Sequence, residues 1–245
     1  MASKYSITVR NDSHHAQSFM LFQELPHPIN LAQYEAFTTV VQHSGRVGGE
    51  GDSRVTFKVA AEYTAICGTA ETNSDDGTMQ IMTTESRDAF LGPSGSSFVL
   101  STLPGADGKP DGTAPDFKSQ GRDTRTPGAF TIRTDSTFDV ENPNKIYLGI
   151  GLKDASSGGD LVPIQAYEAQ PNVLYQFSPR PRYCVAYGNY TVGTVVSMAE
   201  LGNVLTVDFT GAPIREAEFT LDKHNNYVPD AGVETGGIKW KQSAS

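Results

Sequence analysis

Apolar and polar residues alternate along most of this chain in blocks of five to eight. The clearest block is 54–60, with Val55, Phe57 and Val59 on one side and Arg54, Thr56 and Lys58 on the other. A period of two places those side chains on opposite faces of a strand. Residues 5–10 read the same way, Tyr5, Ile7 and Val9 facing Ser6, Thr8 and Arg10 across the backbone. The run 17–24 is more fully apolar and pairs with 5–10 as a plausible hairpin through the turn 11–15. Further strand patterns fall at 37–42, 63–68, 79–82, 97–103, 145–152, 173–177, 183–188, 191–197, 204–209 and 216–221. Only Asn30, with Gln33 three residues on, offers a capping box for a short helix. Glycine-rich or polar connections are expected at 43–53 and 69–77, and 224–245 reads as a turn-rich tail holding the sole Trp240. Residues 104–127 form the longest irregular stretch, a surface loop or the joint between two halves. About fourteen strands and at most one short helix predict an all-β fold, an antiparallel β-sandwich or barrel.

The pattern restarts after that stretch. Tyr63-Thr-Ala-Ile-Cys-Gly68 is echoed 120 residues later by Tyr183-Cys-Val-Ala-Tyr-Gly188. Ser6–Ser13 overlays 129–136, matching Thr8 with Thr131, Arg10 with Arg133, Asp12 with Asp135 and Ser13 with Ser136. The strands 17–24 and 54–60 find counterparts at 145–152 and 173–177, in the same order. These matches predict an internal duplication, with residues 1–115 as the first β half and 116–245 as the second. The two are expected as one compact unit sharing a core.

Composition agrees with many strands and turns: 245 residues, 38% hydrophobic, 19% charged, 24 Gly and 14 Pro. That length is enough to bury a sizeable core. The net charge is −9, from 19 Lys and Arg against 28 Asp and Glu, and the cations are scattered. Nucleic acid and anionic membrane surfaces both demand a cationic footprint, so neither is an expected partner. The first residues show no apolar signal core, and no run reaches transmembrane length. A soluble cytoplasmic protein is therefore expected, one able to form a homo-oligomer. Cys67 and Cys184 each lie in an apolar run and read as buried free thiols rather than a disulfide framework.

Motifs for familiar chemistry are thin. Gly92-Pro-Ser-Gly-Ser96 has Ser where a hydrolase elbow needs its second Gly, and reads as a loop. The five His include one adjacent pair, His14 and His15, which a strand would point apart, and no metal site is expected. The carboxylates of 107–116 depart from calcium-loop spacing and enclose Lys109, so a solvated loop is the simpler reading. Gly149-Ile-Gly151 lies inside a strand, where glycine marks a bulge or a close approach. No nucleotide-binding loop occurs, and no cofactor is expected.

The most suggestive stretch is 177–191, which combines Arg180, Arg182, Tyr183, Tyr187, Asn189 and Tyr190. Tyr and Arg each carry an apolar body with a polar tip and favour ligand surfaces. These six are the candidate ligand-binding residues, weighed against a plain role as core and edge aromatics with solvated arginines. Two function classes follow. One is a non-catalytic intracellular binding or assembly protein for a sugar or other small polar ligand. The other is a cofactor-free enzyme of cyclase or isomerase type, with Glu24, His14 and Tyr187 moving protons in a β cavity. A deep pocket enclosing ionisable groups would favour the enzyme, and shallow surface sites the binder.

Overall fold

The computed structural model describes residues 4–24, 36–60, 62–73, 77–104, 110–153 and 161–243, apart from the side chains of 110–112 and 199. The protein is an all-β sandwich of four sheets. In chain order the strands are β1 (Lys4–Asn11), β2 (Gln17–Gln23), β3 (Ala36–Thr38), β4 (Val40–Val47), β5 (Arg54–Ala60), β6 (Tyr63–Thr72), β7 (Met79–Asp88), β8 (Gly95–Pro104) and β9 (Pro110–Thr124). They continue with β10 (Phe130–Thr134), β11 (Ile146–Lys153), β12 (Leu161–Glu168), β13 (Leu174–Phe177), β14 (Arg182–Tyr187), β15 (Val204–Asp208), β16 (Glu216–Leu221), β17 (Tyr227–Pro229) and β18 (Lys239–Ser243). One helix of five residues, α1 (Ala231–Thr235), and a 3-10 turn at Met198–Glu200 complete the described elements.

Two sheets have four strands, ordered β17-β16-β1-β5 and β13-β10-β8-β9. Two have five, ordered β18-β15-β14-β2-β4 and β3-β12-β11-β6-β7. Alternation explains which lies outermost. The strands β5, β13 and β16 bury every second residue and leave the rest to solvent. In contrast, β2, β11 and β14 are apolar nearly throughout and are buried on both faces. One continuous core joins all four sheets, through Ile7, Phe219, Val185, Leu148, Phe130 and Phe98 among others. A second cluster, with Met20, Phe22, Cys184 and Leu201, lies on the opposite face of β2 and β14. A side-chain contact also binds the two five-stranded sheets, Gln165 Nε2 donating to Gln23 Oε1 at 3.3 Å.

The pairing has a regularity. Exchange β1, β2, β4 and β5 for β10, β11, β12 and β13, and β6 to β9 for β14 to β17. Each four-stranded sheet then maps onto the other, including the parallel pairs β1–β16 and β8–β10. The five-stranded sheets also map onto each other, apart from the added edges β3 and β18. Every sheet therefore combines strands from early and late in the chain. A division at residue 115 passes through β9.

Several boundaries differ from the sequence expectation. Most of 104–127 is not a loop but the edge strand β9. Its outer position leaves Phe117 as a lone large core residue, and an edge tolerates Pro110 and Pro115, so the strand looked like coil in sequence. The polar segment after Val41 continues β4 to Val47, and β6 extends to Thr72. Residues 191–197 form no strand, only single bridges at Thr194 and Val195. The tail contains β17, α1 and β18. The helix cap expected at 30–33 lies outside the described residues.

Candidate functional site

The six residues singled out in 177–191 do not converge. Tyr183 points into the core at 1% exposure, beside Tyr5 (ring centroids 6.0 Å apart) and facing Tyr63. Burial drives the Tyr183 phenol far above its ordinary range, and pushes Tyr63 up to about 12. Arg182 belongs to a charge cluster. Its Nη1 is 2.7 Å from Glu24 Oε2 and its Nε is 3.3 Å from Asp208 Oδ2, while Lys241 Nζ is 3.5 Å from Glu24 Oε1. Burial works to raise the Asp208 pKa, but hydrogen bonds from Thr210 and the nearby cations outweigh it and lower the net value. Arg180 is exposed, with its carbonyl held by Gln23 Nε2 at 2.6 Å. Tyr190 donates its hydroxyl to Glu200 Oε2 at 3.0 Å. Tyr187 and Asn189 line an open concavity of about 370 Å³ with Gln17, Ser18 and Arg46.

The enzyme candidates are likewise spread out. Tyr187 pairs with Phe19 near the start of β2, whereas Glu24 follows the end of that strand. Five residues of extended chain put roughly 16 Å between those positions. His14 sits in the exposed turn after β1 with a positive φ of 64°. Among the described residues, no three His, Cys, Asp or Glu side chains gather as metal ligands. The 107–116 carboxylates fall partly outside the described residues, and Asp116 sits on β9 opposite Ser101.

A larger concavity lies elsewhere. The solvent face of β13-β10-β8-β9 forms a groove of about 670 Å³. Its shape follows from the strands. The β8–β9 ladder shifts register at three places, and such bulges add twist and curl to a sheet. Gly121 sits opposite Ser97 on the groove face, and a Cβ there would come 2.9 Å from Ser97 Oγ. The missing side chain deepens the centre. Thr131 and Arg133 rise from β10, Leu174 and Gln176 from β13, and Asp123 and Arg125 from the end of β9 and beyond.

Polar groups on this surface are partly pre-arranged. Thr124 donates to Ser96 O at 2.8 Å, and its hydroxyl lies 3.2 Å from that of Thr131. Thr126 donates to Gln176 Oε1 at 2.9 Å, which holds that side chain by its oxygen. Among the described residues, no carboxylate stands within ion-pair distance of Arg125 or Arg133. Sequence reading missed this site because the 104–127 stretch looked irregular. The one visible signal was the outward column Thr131 and Arg133, matched to Thr8 and Arg10 but read only as a repeat.

Together these features define an all-β sandwich with an open groove of mixed polar and apolar lining on one outer sheet. The chain belongs to the RhiA family, whose model matches residues 2–230. No curated protein matches it. No solved structure matches it either.

Proposed function

We propose that this protein is a non-catalytic binding protein that holds a small polar, hydroxylated ligand in the groove on β13-β10-β8-β9. The observation that carries this reading is the groove itself, where open guanidinium, amide and hydroxyl groups surround the apolar Leu174. Its volume falls within the usual range for small-molecule sites of roughly 300–1,000 Å³. Arginines, amides and hydroxyls are the groups that recognise sugar hydroxyls and acids, and an aliphatic floor suits the flat side of a sugar ring.

The cofactor-free enzyme is the second reading, and Tyr187 in the smaller concavity favours it. The side chains around Tyr187 there are those of Arg46, Gln17, Ser18, Asn189 and Ala16, with no carboxylate or imidazole to pass a proton. That lining suits binding better than proton transfer. The proposed setting is cytoplasmic, with homo-oligomer formation as the assembly part of the reading. The described residues contain no helix long and apolar enough to cross a membrane, a finding silent about β-barrels.

Native mass spectrometry of the purified protein, followed by a screen of neutral and acidic oligosaccharides, tests this function. Retention of a small polar ligand, lost when Gly121→Leu fills the groove, is the expected result. Turnover of a bound compound, or binding untouched by Gly121→Leu, would overturn it.

A further inference from the structure

We infer that the groove selects an acidic oligosaccharide, a chain of pyranose rings bearing carboxylates. This rests on the binding reading above and names its ligand. The protein carries a net charge of −9, yet Arg125 and Arg133 stand in the groove with no carboxylate of the described residues within ion-pair distance. Among the described residues Asp123 supplies the groove's one carboxylate, leaving the described lining one positive charge in excess. The remaining positive sites invite an anion. Guanidinium matches a carboxylate with two parallel hydrogen bonds, a geometry lysine does not provide.

The dimensions and chemistry favour a short sugar chain. Four strands at about 4.8 Å spacing span roughly 14 Å, wide enough for two or three linked rings. Leu174 is 53% exposed on that surface, and Val99 is partly exposed beside it. These aliphatic groups suit the apolar face of a pyranose. Ser97, Ser119, Gln120 and Gln176 suit its hydroxyls. Asp123 accepts from hydroxyls as well, and it disfavours a dianionic phosphate more than a monoanionic carboxylate. The matched outer sheet differs here. Its counterpart strand β16 bears Glu216 and Glu218 where β8 has Gly95 and Ser97, so its outer face carries carboxylates at positions where the groove strand has none.

Calorimetric titration at low ionic strength separates the outcomes. The probes are a mannuronic acid trimer, its methyl ester, neutral mannotriose and mannose 6-phosphate. The acid trimer is expected to bind about tenfold or more tightly than its ester, because only the acid engages the guanidiniums as an ion. Arg133→Gln and Arg125→Gln should each erase most of that preference while the ester still binds. Gly121→Leu should abolish binding of every probe, with thermal unfolding of all variants close to the parent. Equal binding of acid and ester overturns the acidic-ligand inference and leaves the binding reading standing. A tighter fit for mannose 6-phosphate, or an acid preference that survives both arginine variants, also overturns the inference. Absence of binding by any probe overturns both.

Discussion

A methyl group added at Gly68 would collide with the carbonyl oxygen of Met82, where β6 and β7 shift register. A methyl at Gly188 would meet the Met20 Cε at 3.4 Å and the Tyr190 ring at 3.5 Å, both side-chain contacts of ordinary length. These glycines end the two matched six-residue runs, Gly68 within β6 and Gly188 just after β14, but backbone crowding constrains only the first. Gly68→Ala should destabilise by about 3 kcal/mol or more, against about 1 kcal/mol or less for Gly188→Ala, measured by urea denaturation. The cysteines make a second residue-scale case. Burial, then the carboxylates of Asp116 and Glu85, pushes the Cys67 thiol up to about 12. Burial likewise pushes Cys184 up to about 12, against a hydrogen bond to Thr206. Both are free in the fold and should resist alkylation until it opens. Their raised values also set a pH dependence. In the unfolded chain thiols ionise near 9.0 and phenols near 10.0, whereas folded Cys67, Cys184, Tyr63 and Tyr167 stay neutral toward 12. The unfolded state thus loses protons first, and the contribution present below pH 9.0 is lost as pH rises from 9.0 toward 12. Each group steepens the loss by up to about 1.4 kcal/mol per pH unit. Urea midpoints at pH 8, 10 and 11 check this, and a flat midpoint would contradict it.

At the scale of elements, the edge strands manage exposure. On β18, Trp240 packs edge-on against Phe219 with centroids 5.7 Å apart, while Lys239 and Lys241 flank it. Lysines on an edge discourage pairing with another sheet. Lys241 also reaches Glu24 in the Arg182 cluster. Removing residues 239–245 would uncover β15 and strip that contact. A truncated chain should lose roughly 2–4 kcal/mol of stability and associate through the bared edge, read by denaturation and by light scattering. The opposite device shapes β9, whose bulged ladder curls the outer sheet into the groove.

At the scale of the whole molecule, the interleaving of early and late strands decides how the chain folds. Parallel partners such as β1 and β16 are separated by most of the sequence, so loop closure must precede much of the pairing. A break between β9 and β10, giving 1–127 and 128–245, leaves every sheet incomplete in both fragments. Neither fragment should fold as a monomer, and mixing them should restore the native β circular dichroism. A fragment with a cooperative native-like transition of its own would contradict this. The shared pairing pattern also supports the internal duplication, which we propose as the origin of the fold. Alignment of first halves against second halves across the family tests it. Recovery of the Thr8/Thr131 and Arg10/Arg133 matches is expected, and absence of any half-to-half similarity would sink the idea.

Period-two alternation was enough to read the all-β class and the faces of β1, β5 and β16, and glycines inside a strand marked Gly149-Ile-Gly151 as a bulge or close approach, where β11 and β12 slip register. Those are local properties, dictated by which side chains must leave water. Partnership between strands was not legible, because pairing across a sheet depends on residues far apart in sequence. Tyr183 shows the consequence. Its polar tip suggested a ligand surface, yet Tyr5, Tyr63 and Phe209 pack around it and seal the phenol in the core. Arg133 shows the converse, an ordinary outward residue in an alternating strand until β8, β9 and β13 build a groove around it. The sequence by itself determined that this protein would be layered β-structure with a buried apolar face on most of its strands. Only the tertiary structure decided which polar faces curve, which arginines lack partners, and where a ligand could rest, because curvature and charge balance arise from neighbours the chain brings together only when folded.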